Sequence, residues 1–192
     1  MRKLLFISLS IISLSACQVK TDYQKWEEKE LNSGVINDSI YLGISFGMSP
    51  KEFFAHCWEL NKEGLIRQGP INNSVEYQLE GLEYPAKLNF YPTFHENEII
   101  EMPATIYYSA WSPWNKTYYA DSLQLDVINW LGETYGAEFM EITHPKRGTV
   151  QVSLSGNRRI SVQKKDDQYV KVIFSDLRKK EHLFKPKLEK KG

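Results

Sequence analysis

The side chains in this 192-residue chain best suited to nucleophilic or metal chemistry are few: Cys17, Cys57, His56, His95, His144 and His182. A cysteine nucleophile needs a base within hydrogen-bond reach to draw off its proton. His56 adjoins Cys57, but neighbours on a helix point about 100° apart, so the two do not face each other. A thiol enzyme would have to recruit His95 or His144 from a distant loop. The alternative is a Cys57 that serves as a small buried hydrophobe. His95-Glu96-Asn97-Glu98, with Glu101 beyond, supplies ligand atoms for a metal but no established ligand spacing, and a polar loop between strands accounts for it. Asp166-Asp167 falls in an expected hairpin turn, where the backbone alone favours Asp. These residues lead to the expectation of a protein that is not an enzyme and needs neither cofactor nor metal. The alternative is a hydrolase built on Cys57 and a distant histidine.

A second group could bind rather than react. The stretch AWSPWNKTYYAD, Ala110 to Asp121, places Trp111, Trp114, Tyr118 and Tyr119 around Pro113. Aromatic rings with polar tips are enriched at binding surfaces and also stack on sugars or peptides. Either they plug a seam between two folded units or they form a binding surface, a glycan being one candidate ligand.

The elements that must position these residues can be read from periodicity. Thr21 to Ser33 reads as a short helix stopped by Gly34, inside a polar tether covering residues 17–39. Ser49, Pro50 and Glu52 form the start of a second helix with a capping box, which Gly64 ends. On a helical period Phe53, Phe54, Cys57, Trp58 and Leu60 share its expected apolar face. Period-two alternation then marks strands at Val75–Leu79, Ala86–Phe90 and Glu98–Tyr108. Pro85, Pro92 and Pro103 are expected at strand ends, edges or bulges. A third helix is expected from Asp121, capped by its own side chain and striped by Val127, Ile128, Leu131 and Tyr135 up to Gly136. Strands near residues 139–142, 150–154, 160–162 and 170–174 follow, with turns at Ser155-Gly156-Asn157 and Lys165–Gln168. Helix then strands occurs twice, so the expected fold is α+β: two successive helix-then-antiparallel-meander units packed together, residues 40–110 and 121–176. An aromatic linker, 111–120, joins them, and a basic tail, 177–192, follows.

The first seventeen residues, MRKLLFISLSIISLSAC, have the layout of an export signal: Arg2 and Lys3, an apolar run from Leu4 to Leu14, then small residues. The run is shorter than the roughly 20 residues of a membrane span. Lys+Arg and Asp+Glu both number 24, and removal of residues 1–16 takes away Arg2 and Lys3, leaving a net charge of −2. That balance gives no electrostatic case for nucleic acid. With 42% hydrophobic and 25% charged residues the composition is that of a folded globular protein.

Leu14-Ser15-Ala16-Cys17 resembles the lipobox of bacterial lipoproteins. That resemblance implies that residues 1–16 are a signal peptide and that Cys17 becomes the first residue. It also implies acylation of Cys17 by chains such as palmitate, which tie the domain to a cell membrane or outer membrane outside the cytoplasm. More than one acyl chain is needed for stable anchoring. Gly43-Ile44-Ser45-Phe46-Gly47-Met48-Ser49-Pro50-Lys51-Glu52-Phe53 is similar to the opening of small lipoproteins of the outer-membrane barrel-assembly machine and of beta-lactamase-inhibitor-protein-like domains. In those families a helix-first unit packs on a small antiparallel sheet and acts by binding proteins. The function expected is that of a lipid-anchored cell-envelope protein that binds an envelope partner.

Overall fold

The computed structural model describes residues 20–70, 73–144 and 148–179. Cys17, the leader expected from the sequence, His182 and the tail from residue 180 lie outside the described residues. Three α-helices are present among them: α1 (Asp22–Asn32), α2 (Pro50–Lys62) and α3 (Ala120–Tyr135). The strands are β1 (Ile66–Gln68), β2 (Val75–Leu79), β3 (Ala86–Phe90), β4 (Thr93–His95) and β5 (Glu98–Tyr108), then β6 (Met140–His144), β7 (Gly148–Ser155), β8 (Arg158–Lys164) and β9 (Val170–Asp176).

Two packed helix-and-meander units are not what forms. All nine strands join one antiparallel sheet in the order β1-β2-β3-β5-β9-β8-β7-β6, with β4 added to β5. The joint is β5 with β9, where Glu101 to Ile106 run opposite Ser175 to Val170. Alternation identifies a strand but not its partner. Here Met102, Ala104 and Ile106 meet Phe174, Val172 and Val170 in register, so both buried stripes become one core. Pairing the two meanders also removes two open edges, each a row of unsatisfied amides and carbonyls.

Pro103 sits inside β5, not at its end. On one side of β5 the pairing passes from β4, which faces residues 98–101, to β3, which faces residues 104–108. Pro103 falls in the gap between these partners, where a missing amide breaks no ladder on that side.

The helix α3 lies across the middle of the sheet, with Leu123, Val127 and Leu131 fully buried against β5, β8 and β9. Asp121 does not cap it. The cap position is Tyr119, which makes no side-chain cap bond, and the Ala120 amide donates instead to the Asp167 carbonyl at 2.8 Å. Asp121 takes an ion pair with Lys164 in the first turn. On the same face of the sheet, the turn around residues 40–46 pushes Ile40, Ile44 and Phe46 into the core. The Tyr41 ring there meets Phe90 and Phe174 edge-on at 5.1 and 5.6 Å.

The capping box of α2 forms as expected: Ser49 N donates to Glu52 at 2.8 Å and Glu52 N to the Ser49 hydroxyl at 3.3 Å. Its buried stripe is narrower than the sequence implied. Phe53 and Leu60 are buried and Cys57 is half-buried, whereas Phe54 and Trp58 are 52% and 63% exposed. The helix touches the sheet near its β1 edge, so a single line of residues meets the core and the flanking aromatics stay outside.

Among the described residues, the opposite face of the sheet is covered at one end only. There Tyr23 and Trp26 of α1 pack with Val150, Val152, Leu154, Ile142 and Leu177. Residues 20–39, given to the tether from sequence, thus run along the sheet. A polar clasp secures them: Gly156 N donates to Glu30 at 2.9 Å, and Asn37 N to the Asn157 side chain at 2.6 Å. The Asn157 amide donates in turn to Asp38 and to buried Asp176, both at 3.1 Å, and Arg178 grips Asp176 with its Nε 2.9 Å from Oδ1.

Candidate functional site

Strand alternation sorts the side chains of the remaining half of that second face. With Leu88, Met102, Ala104, Ile106, Val170 and Val172 pointing to the core, Asn89, Pro103, Thr105, Tyr107 and Lys171 point the other way. No described helix covers them. Asn89 lies directly opposite Thr105, and Thr105 opposite Lys171, so they form a row across three strands. Over this row opens a groove of about 550 Å³, walled by Tyr91, Tyr107 and Tyr169, with Ser74 of the β1–β2 turn and Lys165 of the β8–β9 turn at its rim. Tyr107 and Tyr169 touch edge to face at 5.4 Å, and the Lys165 ammonium stands 5.2 Å over the Tyr169 ring. The volume is within the roughly 300–1,000 Å³ usual for ligand sites, and the lining is mostly aromatic and apolar with a few polar groups.

Two carboxylates flank the groove, and their environments push them in opposite directions. Burial raises the Glu76 carboxyl, but Arg67, Lys87 at 3.4 Å and the Tyr107 hydroxyl, donating at 3.2 Å, outweigh it and hold it below the ordinary range. Burial raises Glu101 above the ordinary range, only partly offset by the Ser175 hydroxyl, Arg159 and Lys171. Divergent carboxyls are the mark of an acid–base pair, so their separation decides. Glu76 pairs across to Asn89 and on to Thr105, and Glu101 lies four residues back along β5. At about 3.4 Å per residue and 4.8 Å per strand they stand on the order of 17 Å apart. A glycosidase pair needs roughly 5 to 9.5 Å, so Glu76 and Glu101 do not work as one.

Because Glu101 has a raised folded value, its stabilising effect is fully present below the unfolded carboxyl range and is lost as pH rises through that folded value. Glu101→Gln keeps an acceptor for Ser175 and removes the buried charge. Its melting temperature should match the parent near pH 4 and exceed it at pH 7. A variant less stable than the parent at pH 7 would show that Arg159 and Lys171 outweigh the burial.

The residues singled out from sequence are not gathered at one place. Tyr118 is half-buried, its ring meeting Tyr84 at 5.1 Å and Tyr108 at 5.9 Å, edge-on. Trp111 and Tyr119 form a tilted pair 6.2 Å apart, tied down by the Trp111 indole donating to the Asp167 carbonyl at 3.3 Å and the Tyr119 hydroxyl to the Pro113 carbonyl at 2.7 Å. Trp114 projects into solvent, 85% exposed. Trp111 follows Tyr107 by four residues, and Asp167 belongs to the same turn as Lys165, so the aromatic linker reaches the groove's end of the sheet.

For Cys57 the structure runs against nucleophilic use. Burial pushes its thiol up to about 11, whereas a reactive cysteine is pulled down by a positive environment. The neighbouring His56 ring is engaged elsewhere, with Nε2 2.6 Å from the Leu42 carbonyl oxygen. In a full chain carrying Cys17→Ser, the Cys57 thiolate fraction at pH 7.5 should be about a hundredfold below that of an ordinary thiol, with disulfide-reagent labelling slowed to match. Labelling as fast as a free thiol would restore the hydrolase alternative. His95 sits on β4 with Nε2 3.7 Å from Glu96, and His144 ends β6. Among the described residues no cluster of three or more His, Cys, Asp or Glu could hold a metal ion.

One pattern passed over in the sequence is Gly43-Ile44-Ser45-Phe46-Gly47, which fits the spelling of a hydrolase nucleophile elbow. An elbow requires a strained serine on a tight strand-to-helix turn. Ser45 instead bridges Ser39 in antiparallel fashion, its backbone is not among the positive-φ residues, and α2 begins only at Pro50. The groove residues were also passed over, because Asn89, Thr105 and Tyr107 occupy the off-phase of their strands. Their signal was a strand whose outward positions carry rings and amides in place of charges.

No protein-family model matches this chain, and neither a curated protein nor a solved structure matches it.

Proposed function

We propose that the mature chain is a lipid-anchored protein of the cell envelope that works by binding another envelope component, with the half-open sheet face as its binding surface. The observation that carries the binding role is the groove itself. It is a concave, aromatic-lined site on a face whose other half is already packed by α1. The anchor rests on Leu14-Ser15-Ala16-Cys17. The fold begins close behind it, since Thr21 caps α1. Four residues span about 14 Å at most, so acylation at Cys17 would hold the α1 end of the domain near the headgroups rather than on a long tether.

The test is the native protein's own amino terminus. Mass spectrometry should find a diacyl or triacyl Cys17 as the first residue, and Cys17→Ala should move the protein from the membrane to the soluble fraction. An unmodified residue 17, or a Cys17→Ala chain that still sediments with membranes, would overturn the anchor. Crosslinking of the acylated protein in native membranes, from a photoreactive group at Thr105, should capture a discrete component. The same yield from a group placed at Lys51, on exposed α2, would count against the groove as the binding surface.

A further inference from the structure

We infer that the groove over Asn89, Thr105, Tyr107 and Tyr169 is a saccharide site, taking a short oligosaccharide that is neutral or carries a carboxylate. The inference rests on reading the chain as a binding protein and is independent of the anchor.

The floor of the groove is made by β3, β5 and the start of β9, paired on both sides apart from the gap at Pro103, so nearly all their amides and carbonyls are spent in the sheet. An extended peptide gains much of its affinity from main-chain bonds to a sheet edge, and this floor offers no such edge. What it offers is side chains: hydroxyls, an amide and phenol rings. A sugar asks for that combination, since its hydroxyls exchange bonds with amides and hydroxyls and its apolar C–H face rests on an aromatic ring.

The groove also holds an unmet acceptor. The Asn89 amide hydrogen-bonds the Tyr107 hydroxyl, yet its Oδ1 is buried with no partner among the described residues. A buried polar atom without a bond is costly, and its terminal torsion is soft. A small turn of the amide presents this oxygen to a ligand hydroxyl. Thr105, directly opposite across the β3–β5 pair, adds a hydroxyl that both donates and accepts.

Charge narrows the class. Among the described residues lining the groove, Lys165 alone carries a formal charge, and Lys171 stands on the same face opposite Thr105. Glu76, behind Tyr107, is already taken by Arg67, Lys87 and the Tyr107 hydroxyl. A cationic ligand therefore meets no open carboxylate in the lining, whereas an acidic sugar meets an ammonium at the rim.

Isothermal titration of the detergent-solubilised full chain with chitotetraose, cellotetraose and tri-galacturonate, and with a proline-rich decapeptide, tests this. At least one saccharide should bind. Tyr169→Ala should weaken it tenfold or more, and Thr105→Trp, which fills the groove with a bulky ring and removes the Thr105 hydroxyl, should abolish it at an unchanged melting temperature. Lys165→Ala should weaken only tri-galacturonate, and Trp114→Ala should leave all affinities as they were. Binding of the decapeptide alone, no saccharide binding at millimolar concentration, or saccharide binding that survives Thr105→Trp and falls with Trp114→Ala would each overturn the assignment. The first of these would leave the chain a binding protein of another kind, and anchoring is read separately from the Cys17 peptide.

Discussion

Gly156→Ala is expected to detach the amino-terminal arm from the sheet. Gly156 turns the β7–β8 hairpin at φ +57°, which already disfavours a side chain, and a Cβ built there falls 2.2 Å from the Val35 carbonyl oxygen and 2.9 Å from its carbon. Both are backbone atoms, so no rotamer change relieves the overlap. Either the hairpin or the arm must shift, and the arm has less to hold it. The shift would break the bond from Gly156 N to Glu30 and those joining Asn37 to Asn157 and Ser155. Strain of this kind costs about 2–3 kcal/mol, equivalent to a fall in melting temperature of roughly 5–10 °C for a domain of this size. Limited proteolysis should then cut between Ser33 and Asp38, and Trp26 emission should move to the red. An unchanged melting temperature and an uncut arm would mean that the clasp is not held where the structure puts it.

A larger loss is expected from Phe53→Ala. Phe53 is the buried anchor of α2, edge-on to Tyr91 at 6.2 Å and Phe94 at 6.0 Å. Truncating a buried Phe removes its transfer free energy and leaves a cavity, together about 3–5 kcal/mol. That is a large part of the 5–15 kcal/mol that holds a typical domain together. Trp58→Ala on the same helix should change stability by no more than about 0.5 kcal/mol, because the ring is mostly in solvent. Chemical denaturation of the two variants separates the readings of this helix. Equal losses would return Trp58 to the core, and a small loss at Phe53 would mean that α2 is loosely docked.

That contrast shows what could be read in the residues and what could not. The Ser49 capping box, the helix ahead of Gly34, the strands around Val75, Ala86 and Val170 and the turn at Ser155-Gly156-Asn157 are local matters of hydrogen bonds and dihedral preference within a few residues. All stand in the structure within a residue or two of where periodicity put them. The width of a helix's buried stripe depends on what it packs against, which is why Phe54 and Trp58 were given to the core. Partner choice among strands is further still from local rules. Nothing near Met102 says that it will face Phe174, seventy-two residues on, and without that pairing the two meanders look like separate units. The groove was hidden for the same reason. Asn89, Tyr107 and Tyr169 come from three strand regions whose neighbourhood exists only once β5 and β9 have met, whereas Trp111, Trp114, Tyr118 and Tyr119 drew notice by adjacency in the chain. Of those four, Tyr118 is half-buried against Tyr84 and Tyr108 whereas Trp114 stands in solvent, so closeness in the chain did not put them on one surface.

The place of β9 has a bearing on biogenesis. The last of the described strands to leave the ribosome occupies the middle of the sheet, zipped to β5 on one side and β8 on the other. Until it arrives, earlier strands can form hairpins but carry raw edges along β5 and β8, and the loop that must close between β5 and β9 is long, which slows folding. A nascent chain in that state stays open longer than one whose sheet grows strand by strand, and it is exposed to edge-to-edge aggregation in the meantime. A truncation ending before Val170 would strand two half-sheets with no bridge between them. If residues 1–16 direct export, as proposed above, late closure would keep the chain threadable until transport is complete.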